Sequence, residues 1–185
     1  ALAWAQNRMY IGSQLGISVF DQGQQAFDQP VTNVGGRLRS ANVRDLEAAG
    51  GRVFAATDLG VSVLDEGGQW SNWYRAVGGL PEATGSDSVW AVAYDGTYLW
   101  IRTARSAQQN TGTLVRRVAN AELGDQAAMT VYAADAGLPP ATGSNGVVLS
   151  YRDGELFMAQ CGDGEAAGGL TVLDGKQVLT RDLTD

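Results

Sequence analysis

Asp163 and Glu165 are separated by a single glycine in CGDGE, the run that starts at Cys161. Two carboxylates at that spacing offer the hard oxygen ligands that calcium takes in a short loop. The further acids such a loop needs are missing, so the run reads as a glycine-rich turn and no cofactor is expected. Asp87 or Glu82 could act as a carboxylate base, but the sequence pairs neither with an acid. Histidine is absent. That removes Ser-His-Asp and Cys-His nucleophile pairs, and metal sites that rely on imidazole. Cys161 is the only cysteine, so no internal disulfide forms.

The aromatic and cationic residues divide in the same way. Trp90 and Trp100 fall within apolar runs and are expected to pack rather than to bind. Trp70 and Trp73 are three apart in a short strand, so their rings cannot share one face, and one exposed ring could stack on a glycan. Arg37 and Arg39, and the pair Arg116 and Arg117, are scattered over an acidic chain and read as solvated positions. GGRLRS, from Gly35, lacks the strand–turn–helix context of a phosphate loop. In DEGGQW, from Asp65, the turn is similar to a structural Asp-box turn, and no ligand is assigned to it.

These residues need a scaffold, and the totals bound it. A chain of 185 residues suits one domain able to bury a substantial core. It has 25 glycines, 18% charged residues and short bursts of aromatic and β-branched residues, a pattern that favours an all-β domain with many tight turns. The net charge of −7 argues against a nucleic-acid surface. No apolar run approaches the ~18 residues that span a membrane, so no membrane insertion is expected. No signal peptide is read in the given sequence, and a first residue of Ala rather than Met leads to the expectation of a processed N-terminus or an excised segment.

The strongest signal is repetition. GLPEATGSDSVWAVAYDGTYLWI, from Gly79, recurs 58 residues later as GLPPATGSNGVVLSYRDGELFM, from Gly137. RMYIGSQLGISVFD, from Arg8, recurs at an offset of 44 as RVFAATDLGVSVLD, from Arg52. The third copy runs from LWIRT at Leu99 to GTLVRR at Gly112, and the fourth from LFMAQ at Leu156 to GGLTVLD at Gly168. Four units result, at approximately 1–40, 41–87, 88–143 and 144–185, within a single domain 1–185.

Each unit reads as four short strands, A to D, by alternation and turn chemistry. The A–B turns fall at Gln6-Asn7, Gly50-Gly51, Asp95-Gly96 and Asp153-Gly154. Asp-Gly and Gly-Gly suit the positive φ of a type I′ hairpin. A repeated four-stranded antiparallel meander of this size is the unit of a β-propeller blade, so the expected fold is a β-propeller of four blades. The four blades are a small ring, a fragment of a larger one, or a half-ring that a second copy completes as a homodimer of eight blades.

The run GLP…SVWAVAYDGTYLWIRT resembles the two-component-regulator propeller repeat. That pattern has a Gly-Leu-Pro loop, a V-x-A/S-I strand, an acidic-Gly turn and an L-W-I-G-T strand. The chain departs from it at Arg102, which stands where glycine is usual, and at RLRS, from Arg37, which replaces the Leu-Pro loop in the first unit. The resemblance implies a non-enzymatic, sensor-type module for a ligand or protein partner. It also implies an exported, periplasmic or extracellular, location. Streptogramin-lyase-like propellers have similar repeats, but their histidine base has no counterpart here.

In such blades the A–B and C–D turns share one face, and the B–C and D–A loops share the other. The long connections Gly79–Ser88, Ala104–Thr111, Gly137–Gly146 and Cys161–Ala167 all fall on the second face, which marks it as the working face. The residues placed there to bind are Asp87, Arg105, Gln108, Asn110, Asn145, Asp163 and Glu165. The alternatives are a purely structural segment that self-associates to complete a larger ring, and a lyase-like enzyme.

Overall fold

The computed structural model describes residues 1–104, 112–133, 136–138, 147–160 and 169–173, and the backbone of 178–182. Sixteen strands form four four-stranded antiparallel sheets, each in simple sequence order. The first blade holds β1 (Leu2–Ala5), β2 (Arg8–Ser13), β3 (Gly16–Asp21) and β4 (Ala26–Phe27). The second holds β5 (Val43–Ala49), β6 (Arg52–Thr57), β7 (Gly60–Leu64) and β8 (Trp70–Trp73). The third holds β9 (Val89–Tyr94), β10 (Tyr98–Thr103), β11 (Leu114–Val118) and β12 (Met129–Tyr132). The fourth holds β13 (Val147–Arg152), β14 (Glu155–Gln160), β15 (Gly169–Leu173) and β16 (Val178–Asp182). Every strand expected from the sequence is present, and among the described residues only single 3-10 turns interrupt the loops.

Turn chemistry sets these registers. At Gln6-Asn7, Gly50-Gly51 and Asp153-Gly154 both residues have positive φ, which matches the twist of the strands they join. The third hairpin differs. Asp95 keeps a negative-φ backbone and its Oδ1 accepts from the Thr97 and Tyr98 amides, so a three-residue connection replaces the two-residue turn. In blades one and two strand C begins with a glycine that leaves no room for a side chain: a Cβ on Gly16 would lie 2.3 Å from the Val31 carbonyl oxygen, and one on Gly60 2.4 Å from that of Trp73. In DEGGQW, the Asp65 carboxylate accepts from the Gln69 amide at 2.8 Å and so closes the C–D turn, a structural role.

A single sheet leaves two apolar faces bare, and neighbouring blades cover them. The innermost strands pack in the order β1–β5–β9–β13. The joint between blades one and two buries Tyr10, Ile17 and Val19 against Leu46, Val53 and Ala55. The second joint sets Phe54, Val63 and Trp73 against Val92, Leu99 and Ile101. The third sets Ala91, Trp100 and Leu114 against Leu149, Leu156 and Met158. Trp100 is thus inter-blade packing, as expected, and half-buried Trp90 lies against the same cluster.

The repeated Gly-Leu-Pro loop is tied into these joints. Leu80 seals the second joint and Leu138 the third. Leu38, in the RLRS that departs from the pattern, is 2% exposed and seals the first joint in the same way. The leucine persists although the proline does not, because the cavity between sheets selects for the apolar plug.

The expectation that Arg116 and Arg117 are solvated is corrected for Arg117, which is wholly buried. Its guanidinium lies 4.8 Å from the centre of the Trp73 ring and donates to the carbonyls of Ala121 and Glu122. An aromatic face and two carbonyls replace the water that the charge gives up. Arg116 is half-buried and lies over the rings of Tyr98 and Trp100.

Candidate functional site

The D–A loop between blades two and three is braced rather than loose. The Tyr74 carbonyl accepts from the amides of Val77 and Gly79. Buried Thr84 donates its hydroxyl to the Pro81 carbonyl. Asp87 closes the loop: its Oδ1 accepts from the Arg75 amide at 2.8 Å and from Arg75 Nε at 3.3 Å. Glu82, on the same loop, sits 3.6 Å from the other side of that guanidinium. Asp87 therefore holds the loop together through one oxygen, and both acids answer the same cation rather than an acid partner. The other expected binding residues, Arg105, Gln108, Asn110, Asn145, Asp163 and Glu165, lie outside the described residues. The calcium reading of CGDGE lies there with them. Among the described residues, no group of three or more acidic or sulfur side chains gathers as a metal site would require.

The face formed by B–C and D–A loops carries exposed apolar tips. Leu15 and Leu59 occupy the same position in successive B–C turns and are 83% and 48% exposed. In each turn the preceding hydroxyl, Ser13 or Thr57, receives the leucine amide, so the turn is fixed and the side chain projects. Val34, on the first D–A loop, is 79% exposed. Beside them Arg39 covers the Tyr74 ring, and Arg44 covers Trp90 while donating to Ser88 Oγ.

A concave site lies elsewhere, at the outer part of the joint between blades one and two. It is a cleft of about 600 Å³ with Val19, Val31 and Leu64 among its apolar lining. Its rim is polar and comes from both blades: Arg8, Asp28, Arg37, Gln29 and Gln69, with half-buried Trp70 at one side. Gln6, on the A–B turn of blade one, donates to the Gly51 carbonyl at 2.7 Å and pins that turn to the next blade. Arg8 is shared between two acids, with Nε 3.0 Å from Asp21 and Nη2 3.7 Å from Asp28. The hydrogen bond to Asp21 is the main reason its guanidinium is pushed above the ordinary value. Asp21 is lowered first by the Gln24 amide and then by Arg8. Tyr10 lies deeper, and burial raises its phenol.

The two tryptophans of β8 part as the alternation requires. Trp73 joins the second joint against Phe54, whereas Trp70 faces the first joint and the cleft. No local motif marks the cleft. Arg8, Asp28 and Trp70 come from three stretches, and only the docking of two blades brings them together.

Two inner carboxylates complete the polar inventory. Asp45 and Glu47 share the face of β5 turned to blade three, and Asp45 Oδ2 accepts from the Val92 amide at 3.0 Å. Burial raises both acids, and Glu47, which also feels the Asp45 charge, is pushed up to about 7. At the third joint Arg102 fills the position that the repeat pattern gives to glycine. It is wholly buried, donates to the Gly112 carbonyl at 2.6 Å, and reaches Gln160 of the next blade at 3.5 Å. Burial lowers its guanidinium to about 10.

Comparison with solved structures supports the propeller reading of the fold. The extracellular domain of BT4673 from B. thetaiotaomicron, described as a one-component or hybrid two-component system, aligns with a TM-score of 0.65 and 13% identity. The match covers 100% of this chain and 23% of that one. PorZ, a surface component of the type-IX secretion system of Porphyromonas gingivalis, aligns at 0.63 with 18% identity over 97% of this chain and 22% of its own. The extracellular domain of BT3049, a hybrid two-component system from B. thetaiotaomicron, aligns at 0.58 with 15% identity, covering 96% and 26%. The chain thus spans about a quarter of the length of the structures it matches. No protein-family model and no curated protein matches it. No helix among the described residues is long and apolar enough to cross a membrane.

Proposed function

We propose that this chain is a non-enzymatic, sensor-type segment of a β-propeller that binds a polar ligand in the cleft between its first two blades. The observation that carries the reading is the cleft itself, a mostly polar cavity whose hydrogen-bonding groups come from two blades and whose lining also includes Val19, Val31 and Leu64. Arg37 is an exposed cation there, Gln29 and Gln69 offer amides, and Trp70 offers a ring edge or face. A ring-bearing or extended polar molecule, such as a saccharide or a short acidic peptide, matches that set. The lack of histidine and the binding of Asp87 and Glu82 by Arg75 favour recognition over proton transfer. The matched extracellular domains of one- and two-component systems, and the matched surface component, favour an exported binding role.

A second reading places the partner on the B–C and D–A face, where Leu15, Leu59 and Val34 project. Arg105, Gln108, Asn110, Asn145, Asp163 and Glu165, with Asp87, would then meet it. Screening the chain on saccharide and peptide arrays separates the two. Trp70→Ala and Arg37→Ala abolish binding under the first reading and leave it unchanged under the second. Alanine at Arg105, Gln108 and Asn145 does the reverse. A binder untouched by both sets overturns both.

A further inference from the structure

The B–C turns of the first two blades share one short pattern, SQLG from Ser13 and TDLG from Thr57. The hydroxyl that opens each turn donates to the carbonyl of the closing glycine, Ser13 to Gly16 at 3.1 Å and Thr57 to Gly60 at 2.8 Å. The same oxygen accepts the leucine amide. Each glycine in turn lies against the chain that follows strand C, Gly16 on Val31 and Thr32, and Gly60 on Trp73 and Tyr74. A turn braced on both sides has no slack with which to tuck its leucine away, so Leu15 and Leu59 project.

These tips belong to one strip. Thr32, beside Gly16, accepts the Val34 amide through its hydroxyl, which keeps exposed Val34 in the same corner as Leu15. The loop then crosses to blade two. There the Gly36 carbonyl accepts from Asn72 Nδ2 at 3.0 Å, and the Arg39 amide donates to Ser62 Oγ at 2.9 Å. The Arg39 guanidinium lies 4.1 Å from the centre of the Tyr74 ring, the residue against which Gly60 closes the Leu59 turn. Further in, Arg44 lies 5.1 Å from the Trp90 ring of blade three and donates to Ser88 Oγ at 3.1 Å.

Arg39 and Arg44 are both exposed, and neither meets a carboxylate among the described residues. The acids nearby are otherwise engaged: Asp87 and Glu82 answer Arg75, and Asp58, in the Leu59 turn, has one carboxylate oxygen buried. Stacking on a ring fixes the plane of a guanidinium and leaves N–H groups for an outside acceptor. The opposite face is acidic, with an aspartate in an A–B or C–D turn of every blade, Asp21, Asp65, Asp95 and Asp153. An anionic partner is therefore steered to the loop face rather than to the turns.

We infer that this strip docks an acidic segment of a protein partner, laid in extended form across the first two blades with apolar side chains between its carboxylates. The carboxylates pair with Arg39 and Arg44, and the apolar side chains cover Leu15, Val34 and Leu59, which otherwise stand in water. Arginine forks held flat over rings suit carboxylates at a defined spacing better than a fluid layer of lipid headgroups. Docking here rests on the second reading's choice of face, yet it needs neither the loops of blades three and four nor the cleft.

Fluorescence anisotropy of a labelled peptide that alternates glutamate and leucine, titrated with the chain, tests it. The peptide should saturate below about 1 mM chain, and its glutamine counterpart should bind at least about fivefold more weakly. Arg39→Gln with Arg44→Gln should weaken the glutamate peptide about tenfold, and Leu15→Ser with Leu59→Ser by a similar factor. Circular dichroism should stay unchanged, because all four side chains are exposed. Arg39→Glu with Arg44→Glu should instead prefer a lysine counterpart of the peptide. Should a paired variant fail to fold, its members are used singly. Equal binding of the glutamate and glutamine peptides, or none of either, overturns the inference. Loss of binding in Trp70→Ala but not in the strip variants also overturns it, while sustaining the cleft reading. Attachment to vesicles containing phosphatidylglycerol, without binding of the peptide, overturns it in favour of a lipid surface. An array ligand lost on alanine substitution of Arg105, Gln108 and Asn145, with no peptide binding, keeps the second reading and overturns this docking.

Discussion

Replacing Glu47 by glutamine isolates the cost of an ionised side chain placed between two innermost strands. Burial and the neighbouring Asp45 charge raise this carboxyl from 4.5 to about 7. A raised acid means that the folded state holds its proton more tightly than the unfolded chain does. The stabilisation from protonation is complete below about pH 4.5 and is lost as the pH climbs through about 7. Every tenfold gain in proton affinity is worth about 1.4 kcal/mol, which sets a ceiling of roughly 3 kcal/mol for this carboxyl. Glu47 is only partly buried, so solvent screening cuts this to about 1–2 kcal/mol. Glu47→Gln keeps the shape and removes the charge. Urea unfolding should therefore show the variant about 1–2 kcal/mol more stable than wild type at pH 8, and equal to it at pH 4.5. An equal gain at both pH values, or a loss at pH 8, would refute the reasoning, because neither depends on ionisation at this position.

The inter-blade plugs make a second prediction: Leu38→Ala and Leu80→Ala should each cost about 2–5 kcal/mol in urea midpoints, although only Leu80 lies in a Gly-Leu-Pro loop. Gly60→Ala should cost about 1–3 kcal/mol or more by the same assay, since φ is 135° and the new methyl meets the Trp73 carbonyl. Arg117→Met should stay within about 1 kcal/mol of wild type, because it keeps the stem and discards a buried charge. Arg117→Ala, which empties the space over Trp73, should lose about 2–5 kcal/mol. Trp70→Ala should remove binding in the cleft, measured by calorimetry, while thermal unfolding shifts by only a few degrees.

The strands were legible because period-two alternation and turn residues are local signals. Gln6-Asn7, Gly50-Gly51 and Asp153-Gly154 announce two-residue hairpins, and the structure forms them. Asp95-Gly96 carries the same signal, yet Asp95 caps a three-residue loop instead, since its carboxylate offers the backbone a competing hydrogen-bond pattern. Leu38 illustrates a limit of pattern matching. RLRS departs from the repeat consensus, but the leucine plugs the same kind of cavity as Leu80. Arg117 shows another limit. An arginine on an acidic chain reads as solvated, and its burial is tolerable because Trp73 arrives from the preceding blade and two loop carbonyls accept from it. The cleft was illegible for the same reason. Its walls are assembled by docking, so Arg8, Asp28 and Trp70 share no spacing that a sequence could display. Asp87 was legible as an exposed-loop polar residue, but its engagement with Arg75 depends on how that loop folds back.

Methyl–methyl nuclear Overhauser spectroscopy tests the stacking of successive sheets most directly. Leu38 should show cross-peaks to Ile17 and Val43, Leu80 to Val92 and Ile101, and Leu138 to Leu149 and Met158. Leucine methyls that see only their own loops, with no contact across from one sheet to the next, would contradict the architecture and the cleft built upon it.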